Sequence, residues 1–325
     1  MKLIIAHAWP LLLLAVPAAA QERPELDVYV YDSFVSEWGP GPQIEAGFEA
    51  QCGCDLNWVT AGDGAALLSR LQLEGERTRA DVVVGLDNAL MARAEATGLF
   101  APHGIEAKYD LPMPWTSETF VPFDWGQLAF VHRAGFVPPA SLEELANSDA
   151  TILIQDPRAS TPGLGLALWV ASAYPGRAEE IWAGLADNVV TVTPGWSEAY
   201  GLFQQGEADM VLSYATSPAY HRVAEGDDGF DYATFDEGHW VQIEVAAMLA
   251  ASDQPDLARD FLRYLTSPEA QAVLPGANWM YPVAAVPLPE GFETAPPPPA
   301  LIVTPEEAEA RTEGAIAAWR AGLSR

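Results

Sequence analysis

The chain has 325 residues, half of them hydrophobic, with 45 acidic against 16 basic side chains and a formal charge of -29 at pH 7. A surplus of that sign excludes a nucleic-acid binder, whose phosphate contacts need a basic footprint. It is compatible with a cationic ligand drawn to a negative cleft, but it is explained more simply by an acidic coat that only keeps an exported protein soluble.

Residues 1–20 read as a secretory leader: Lys2 supplies the positive start, 3–16 is an apolar run broken by His7 and Pro10, and Ala18-Ala19-Ala20 forms the A-x-A cleavage pattern. The run is too short for a membrane span, and no Cys follows it to carry a lipid anchor. The remainder is long enough for two lobes of ordinary domain size.

Residues 26–31 (LDVYVY) alternate as a strand, the loop Gly39-Pro40-Gly41-Pro42 follows, and 44–50 reads as a helix. The same order of strand, polar turn and helix then recurs. A strand at 55–59 is followed by the cap Asp63-Gly64 and a helix over 65–74, with Leu67, Leu68 and Leu71 on one face. The run 81–86 (DVVVGL) has the continuous apolar character of a buried parallel strand, and a helix over 90–96 follows. Cys52 and Cys54 flank Gly53. In an oxidising compartment they are a candidate disulfide, but one closing a very small ring, and the residues leave the pairing open. No His or Cys cluster completes a zinc site around them, and C-x-C is not the C-x-x-C of thiol-redox catalysts.

Residues 119–133 form a long extended stretch with Pro122 and Gly126 inside it, and 240–251 form a second. Two such stretches are expected to link lobes built from discontinuous segments. Between them lie a capping box at Ser141 and Glu144, a strand at 152–155, and the helix start Ser160-Thr161-Pro162-Gly163. A strand at 189–193 leads to Trp196, a helix capped by Ser197 and stopped by Gly206, and the strand 209–214. That strand ends in Tyr214-Ala215-Thr216-Ser217, and Ser217-Pro218 reads as the start of another helix. In open α/β sheets ligands sit beyond the carboxyl ends of strands, which makes Tyr214, Thr216, Ser217 and Tyr220 candidate contacts. Helices are expected at 256–265 and after Ser267, an aromatic turn at 278–283, a stiff proline run at 296–299, and a final helix capped by Thr304 and Glu307. Alternating strands and helices predict an α/β fold with mostly parallel sheets and helices on both faces.

The motifs LDVYVYDSFVSEWGPGP, ADVVVGLDN, TFVPFDWG, QDPRASTPGLG, GWSEAYGLF, VLSYATSPAYH and NWMYPV, in this order from about residue 25 onward, resemble those of bacterial periplasmic thiamine-binding proteins. These are the substrate-binding components of ABC importers for thiamine and its phosphates. The Cys52/Cys54 pair resembles the family's as well. The resemblance implies a two-lobed periplasmic binding protein fold of the hinge-closing type II, shared with ferric-ion and polyamine binders. Lobe 1 is then expected over 21–124 and 239–325, lobe 2 over 125–238, with the ligand cleft between them. It further implies a periplasmic monomer without a cofactor of its own, and an inner-membrane ABC permease with its ATPase as partner. The family's ligand contacts carry over to Asp63, Gly64, Ser160, Thr161, Trp196, Tyr214, Ala215, Thr216 and Ser217. Tyr31, Trp38, Tyr220 and Trp279 lie in matching motifs as candidate aromatic walls.

These residue types suit thiamine, which has two flat rings and a permanent positive charge. Aromatic walls take the rings, and a delocalised cation over Trp or Tyr gains roughly 0.5–2 kcal/mol. A buried cation also needs a carboxylate, for which Asp32 and Asp63 are candidates; each is equally suited to capping a helix. The ester phosphate fits the unpaired N–H groups at Ser160-Thr161-Pro162-Gly163. Two other readings compete. A ferric-ion or polyamine binder shares the fold, but iron wants a tyrosine pair with hard anionic ligands, and Tyr214 and Tyr220 are not adjacent. A secreted enzyme lacks its signature: Gly195-Trp196-Ser197-Glu198-Ala199 fails the last position of G-x-S-x-G, and His103, His132, His221 and His239 show no ligand spacing.

Overall fold

Two long strands run through both halves of the molecule, and everything else is hung on them. The structure is a computed structural model that describes residues 23–292 and 299–324. The leader at 1–20 and most of the proline run at 296–299 lie outside the described residues. The first half begins with β1 (Glu25–Val30), α1 (Gly41–Cys52), β2 (Asp55–Thr60), α2 (Gly64–Glu74), β3 (Val82–Asp87) and α3 (Met91–Ala96). The first crossing strand, β4 (Val121–Arg133), leads into α4 (Leu142–Ala146), β5 (Ile152–Gln155), α5 (Thr161–Ala173) and α6 (Ala178–Leu185). After these come β6 (Val189–Thr193), α7 (Trp196–Gln204), β7 (Met210–Tyr214), α8 (Ser217–Tyr220) and β8 (Phe230–Tyr232). The second crossing strand, β9 (His239–Met248), returns the chain to α9 (Pro255–Leu265), α10 (Pro268–Gln271), α11 (Leu274–Ala277) and β10 (Tyr281–Pro282). The short β11 (Ala300–Leu301) precedes the last helix, α12 (Pro305–Leu323).

The strand order is β2-β1-β3-β9-β4-β7-β5-β6. The outer strands pair in parallel, β1 with β2 and β3, and β5 with β6 and β7. The crossing strands enter antiparallel to their neighbours, β9 against β3 and β4, and β4 against β7. The first part of β4 pairs with β9, from Val121 to Gln127, and the second part pairs with β7, from Leu128 to His132. Strands β3 and β9 are buried along their whole length, as their central places demand, whereas the edge strand β2 is half exposed.

Local chemistry sets the helix ends. Ser141, Ser160, Ser267 and Thr304 all sit as extended N-caps whose hydroxyls accept a backbone N–H of the first turn. Thr304 and Glu307 complete a reciprocal capping box. Helix α7 departs from expectation. Its cap is Gly195, in extended conformation and without a side-chain acceptor, so Ser197 lies within the first turn instead. Ser217 is likewise the first residue of α8, not its cap: its hydroxyl meets Ser213 at 2.7 Å and Tyr214 N–H at 3.2 Å. Cys52 and Cys54 are disulfide-bonded across Gly53, which ends α1 in the left-handed conformation.

Helix α5 is buried on every side over its first ten residues. Helix α12 covers it and α6, while Arg93 of α3 reaches Glu309 of α12 at 2.9 Å. The last helix therefore touches both halves, and its main packing is on the half built from 125–238. No helix among the described residues is long and apolar enough to cross a membrane.

Candidate functional site

The parallel strands of both halves direct their carboxyl ends toward one cleft, of about 460 Å³. Strand β1 ends next to Tyr31, β6 leads to Gly195 and Trp196, and β7 ends at Tyr214; all four residues line the cavity. Parallel pairing forces this arrangement, because each strand must be followed by a crossover that starts at the same edge.

The floor comes from the crossing strands and the segment after α11. Glu244 of β9 accepts the Tyr31 hydroxyl at 2.8 Å and the Gln242 amide at 3.3 Å. Gln242 also donates to the Tyr214 hydroxyl at 2.8 Å. Asn278 donates to Tyr31 at 3.1 Å and to Asp124 of β4 at 2.6 Å. Tyr31 lies flat over β3 because residue 85 is glycine: a Cβ there would stand 2.0 Å from the Tyr31 ring. Burial raises the phenols of Tyr31 and Tyr214 well above their ordinary value, and both stay protonated. Burial also raises Glu244, with Asp124 adding like charge, and it pushes Asp124 up to about 8 and Asp87 up to about 7.

Aromatic rings form the walls. Trp279 and Tyr220 meet edge to face at 5.5 Å on one side. Trp279 has a φ of 56°, the positive-φ non-glycine among the described residues, and its N–H is held by the Leu274 carbonyl at 3.0 Å. A bulky residue held in the left-handed region is strained unless its surroundings impose it, and such positions cluster at functional sites. On the other side Trp196 stacks on Tyr200 at 5.0 Å, donates its ring N–H to Ser213 at 2.8 Å, and lies 6.1 Å from Trp38. Trp38 is 52% exposed and stands at the mouth.

The remaining end of the cleft gathers helix starts. Asp63 caps α2 by accepting Gly64 N–H at 2.7 Å, and Thr161, first residue of α5, donates its hydroxyl to the same oxygen at 3.3 Å. Burial raises the Asp63 carboxyl, while donors from Ser160, Gly64 and Thr161 pull it back. The uncapped start of α7 adds Gly195, Trp196 and Ser197 to the lining, and Ser217 completes this end. The N–H groups at the start of α5 are paired, Ser160 with the Asp156 carbonyl at 2.9 Å, Thr161 with Asp63 and Gly163 with Ser160 Oγ at 3.4 Å, so the donors expected free at 160–163 are taken and the uncapped start of α7 is what favours an anion here.

Tyr31, Asp32, Trp38, Asp63, Thr161, Trp196, Tyr214, Ser217, Tyr220 and Trp279 therefore all line one cavity. Gly64, Ser160, Ala215 and Thr216 do not. Gly64 lies behind the wall, where a Cβ would stand 2.2 Å from the Gly85 carbonyl oxygen and 2.6 Å from Thr161 Cγ2, so the missing side chain lets the start of α2 approach β3 and α5. Ser160 is wholly buried as the α5 cap, with its hydroxyl 3.4 Å from Gly163 N–H. Ala215 N–H is bonded to the Gln127 carbonyl at 2.9 Å, and Thr216 is buried. Asp32 sits at the exposed rim, where it accepts Gly62 N–H at 3.0 Å and orders that loop. Sequence reasoning missed Glu244, Asn278 and Met280. Met280 and Asn278 flank the Trp279 it had found, but Glu244 carries no local signal. Among the described residues no three His, Cys, Asp or Glu side chains gather as a metal site.

A sheet pair joined by two crossing strands, with an aromatic cavity between the halves, defines a two-lobed solute-binding protein. The family model for bacterial extracellular solute-binding proteins matches residues 42–277. The thiamine-binding periplasmic protein of Escherichia coli (strain K12) is 51% identical over 322 residues, covering 97% of this chain and 98% of that one. A solved periplasmic thiamin binding protein superposes with a TM-score of 0.92 at 50% identity, over 96% of this chain and 100% of the other. Iron-bound HitA from Pseudomonas aeruginosa superposes at 0.74 with 20% identity, over 92% of this chain and 99% of that one, a likeness of fold alone. The chain belongs to the family of thiamine-binding periplasmic proteins within the bacterial extracellular solute-binding proteins.

Proposed function

We propose that this protein binds thiamine in the cleft between its lobes, in the periplasm, and delivers it to an ABC importer. The observation that carries this reading is the cavity itself: Trp279, Tyr220, Trp196 and Tyr214 supply aromatic walls suited to two flat rings, and Glu244 supplies a carboxyl group on the floor suited to a cation. The full-length match to thiamine binders at 51% identity supports it. Thiamine monophosphate and diphosphate are bound by the same site, with the ester end toward the uncapped start of α7, whose N–H groups donate to an anion. The protein acts as a monomer, exported by cleavage of its leader, and hands its ligand unchanged to an inner-membrane permease with its ATPase. No catalytic step is assigned to it.

Calorimetric titration against thiamine, its monophosphate and its diphosphate tests this reading. One site per chain with a change in tryptophan fluorescence is expected. An absence of both heat and fluorescence change at millimolar thiamine would overturn it.

A further inference from the structure

The floor of the cleft holds an unusual pair. Asp124 of β4 and Glu244 of β9 are cross-strand partners in the antiparallel pair that joins the halves. Partners of this kind carry their side chains on one face, roughly 5 Å apart at Cβ. Asp124 is wholly buried and Glu244 nearly so, yet Glu244 lines the cavity. Their hydrogen-bond donors are neutral: the Tyr31 hydroxyl and Gln242 amide for Glu244, and the Asn278 amide for one Asp124 oxygen. The other Asp124 oxygen, Oδ1, is buried without a partner. Among the described residues no Lys, Arg or His forms an ion pair with either acid, although the molecule carries ion pairs elsewhere. The other titratable groups around the pair offer no positive charge either: Asp63 at the start of α2, Asp87 at the end of β3, and the phenols of Tyr31 and Tyr214.

Two ionised carboxylates so placed repel, and in a buried site at least one keeps its proton. A cation reaching Glu244 removes that requirement. We propose that Glu244, backed by Asp124, is the counter-charge for the cationic ring of the ligand, and that binding releases a proton from this pair to solvent. The inference rests on the functional reading above and assigns to Glu244 the place for which sequence reasoning offered Asp32 and Asp63. The pair holds at least one proton while the cleft is empty, so the floor does not carry two unsolvated charges. The second charge appears only when the cation arrives. The sign follows: the ligand-bound state binds fewer protons, and thiamine affinity therefore rises with pH through the range in which the empty pair titrates.

The test is calorimetry of thiamine binding at one near-neutral pH in buffers of different ionisation heat, with a neutral analogue carrying a thiophene in place of the thiazolium as the second probe. Wild-type protein is expected to release up to about one proton per thiamine and none with the analogue. Glu244→Gln should abolish the release and weaken thiamine about tenfold or more, while analogue affinity stays within about threefold. This also assigns the proton among the four nearby carboxyl groups. Asp124→Asn should retain thiamine binding with a smaller release. Melting temperatures establish that the variants fold, and the wild-type proton count against the two probes decides the matter without them. Thiamine binding with no proton released, or a release unchanged in folded Glu244→Gln, would overturn the proposal. No binding of thiamine by wild-type protein would overturn the functional reading, and this inference with it.

Discussion

The Thr161 hydroxyl donates to Asp63 Oδ1 at 3.3 Å, joining the first residue of α5 to the cap of α2 across the cleft. Beside it, Ala66 N–H bonds to the Ala159 carbonyl at 3.0 Å. One carboxyl group thus serves two helix starts from opposite halves of the molecule.

If the ester phosphate of the proposed ligands enters at this end, Asp63 controls its access. Its carboxyl is raised by burial, so a protonated form that donates to phosphate persists above the ordinary carboxylate range. As pH rises through its folded value it ionises and repels the ester. Asp63→Asn removes the repulsion and keeps an oxygen to cap α2. At pH near 7.5 the affinity of the monophosphate relative to thiamine should rise about tenfold in this variant, equivalent to ~1.4 kcal/mol. Titrations of both ligands against both proteins measure that ratio. An unchanged ratio would move the phosphate away from Asp63.

Trp279→Ala should weaken thiamine and both phosphates alike, because the rings are common to all three. Stacking of a base on an aromatic side chain sets the scale, about 1–3 kcal/mol. Trp279→Gly should lose the same affinity while the free protein melts higher than the Ala variant, since a φ of 56° favours glycine. Equal affinity of wild type and both variants would leave Trp279 a structural residue.

The free protein should lose stability as pH rises from about 6.5 to 8. Asp124 titrates at about 8 and Asp87 at about 7 in the fold, against about 3.9 in the unfolded chain. Throughout that interval the native state holds more protons than the unfolded one, so raising pH favours unfolding. The cost is of order 1 kcal/mol per group. His239, lowered to about 4 by burial, contributes in the opposite sense. Its share is complete above about pH 6.5 and is lost as pH falls. Thermal melts across this range should show the decline, and Asp124→Asn should flatten it. A melting temperature that climbs steadily to pH 8 would contradict the buried acids.

Helix α12 supplies a paired test of packing. A Cβ at Gly322 would stand 2.4 Å from Trp182 Cβ, whereas one at Gly314 would meet nothing within 4 Å. Gly322→Ala should cost about 1–3 kcal/mol by forcing α12 off α6. Gly314→Ala should stabilise by up to about 1 kcal/mol, from helix propensity alone. Denaturant melts of both variants give the comparison, and a neutral Gly322→Ala would mean that the two helices are not in contact.

Much of this architecture was legible in the chain because its determinants are local. Ser141, Ser267 and the Thr304/Glu307 box mark helix starts within three residues of themselves. The run of valines in β3 announces a strand buried on both faces, and the extended stretches at 119–133 and 240–251 appear as β4 and β9. Aromatic residues that end strands or start helices, such as Tyr31, Trp196 and Tyr214, could be singled out for the same reason. The start of α7 was misjudged because Ser197 is a better cap than Gly195 by propensity, and the backbone chose otherwise. Helices α6 and α11 are short, and the sequence alone does not announce them.

What the linear pattern did not contain was address. Glu244 sits in an apolar run, and only the register of β9 against β4 sets it opposite Asp124, while its bond to Tyr31 spans 213 positions. The Asp63–Thr161 contact spans 98 positions, and the close approach of Gly64 to the Gly85 carbonyl is likewise set only by the fold. Propensity and periodicity act over one or two turns of chain. The protonation of a buried carboxyl and the shape of a cleft depend on which distant groups exclude water from it, and that is decided only when the two crossing strands bring the halves together.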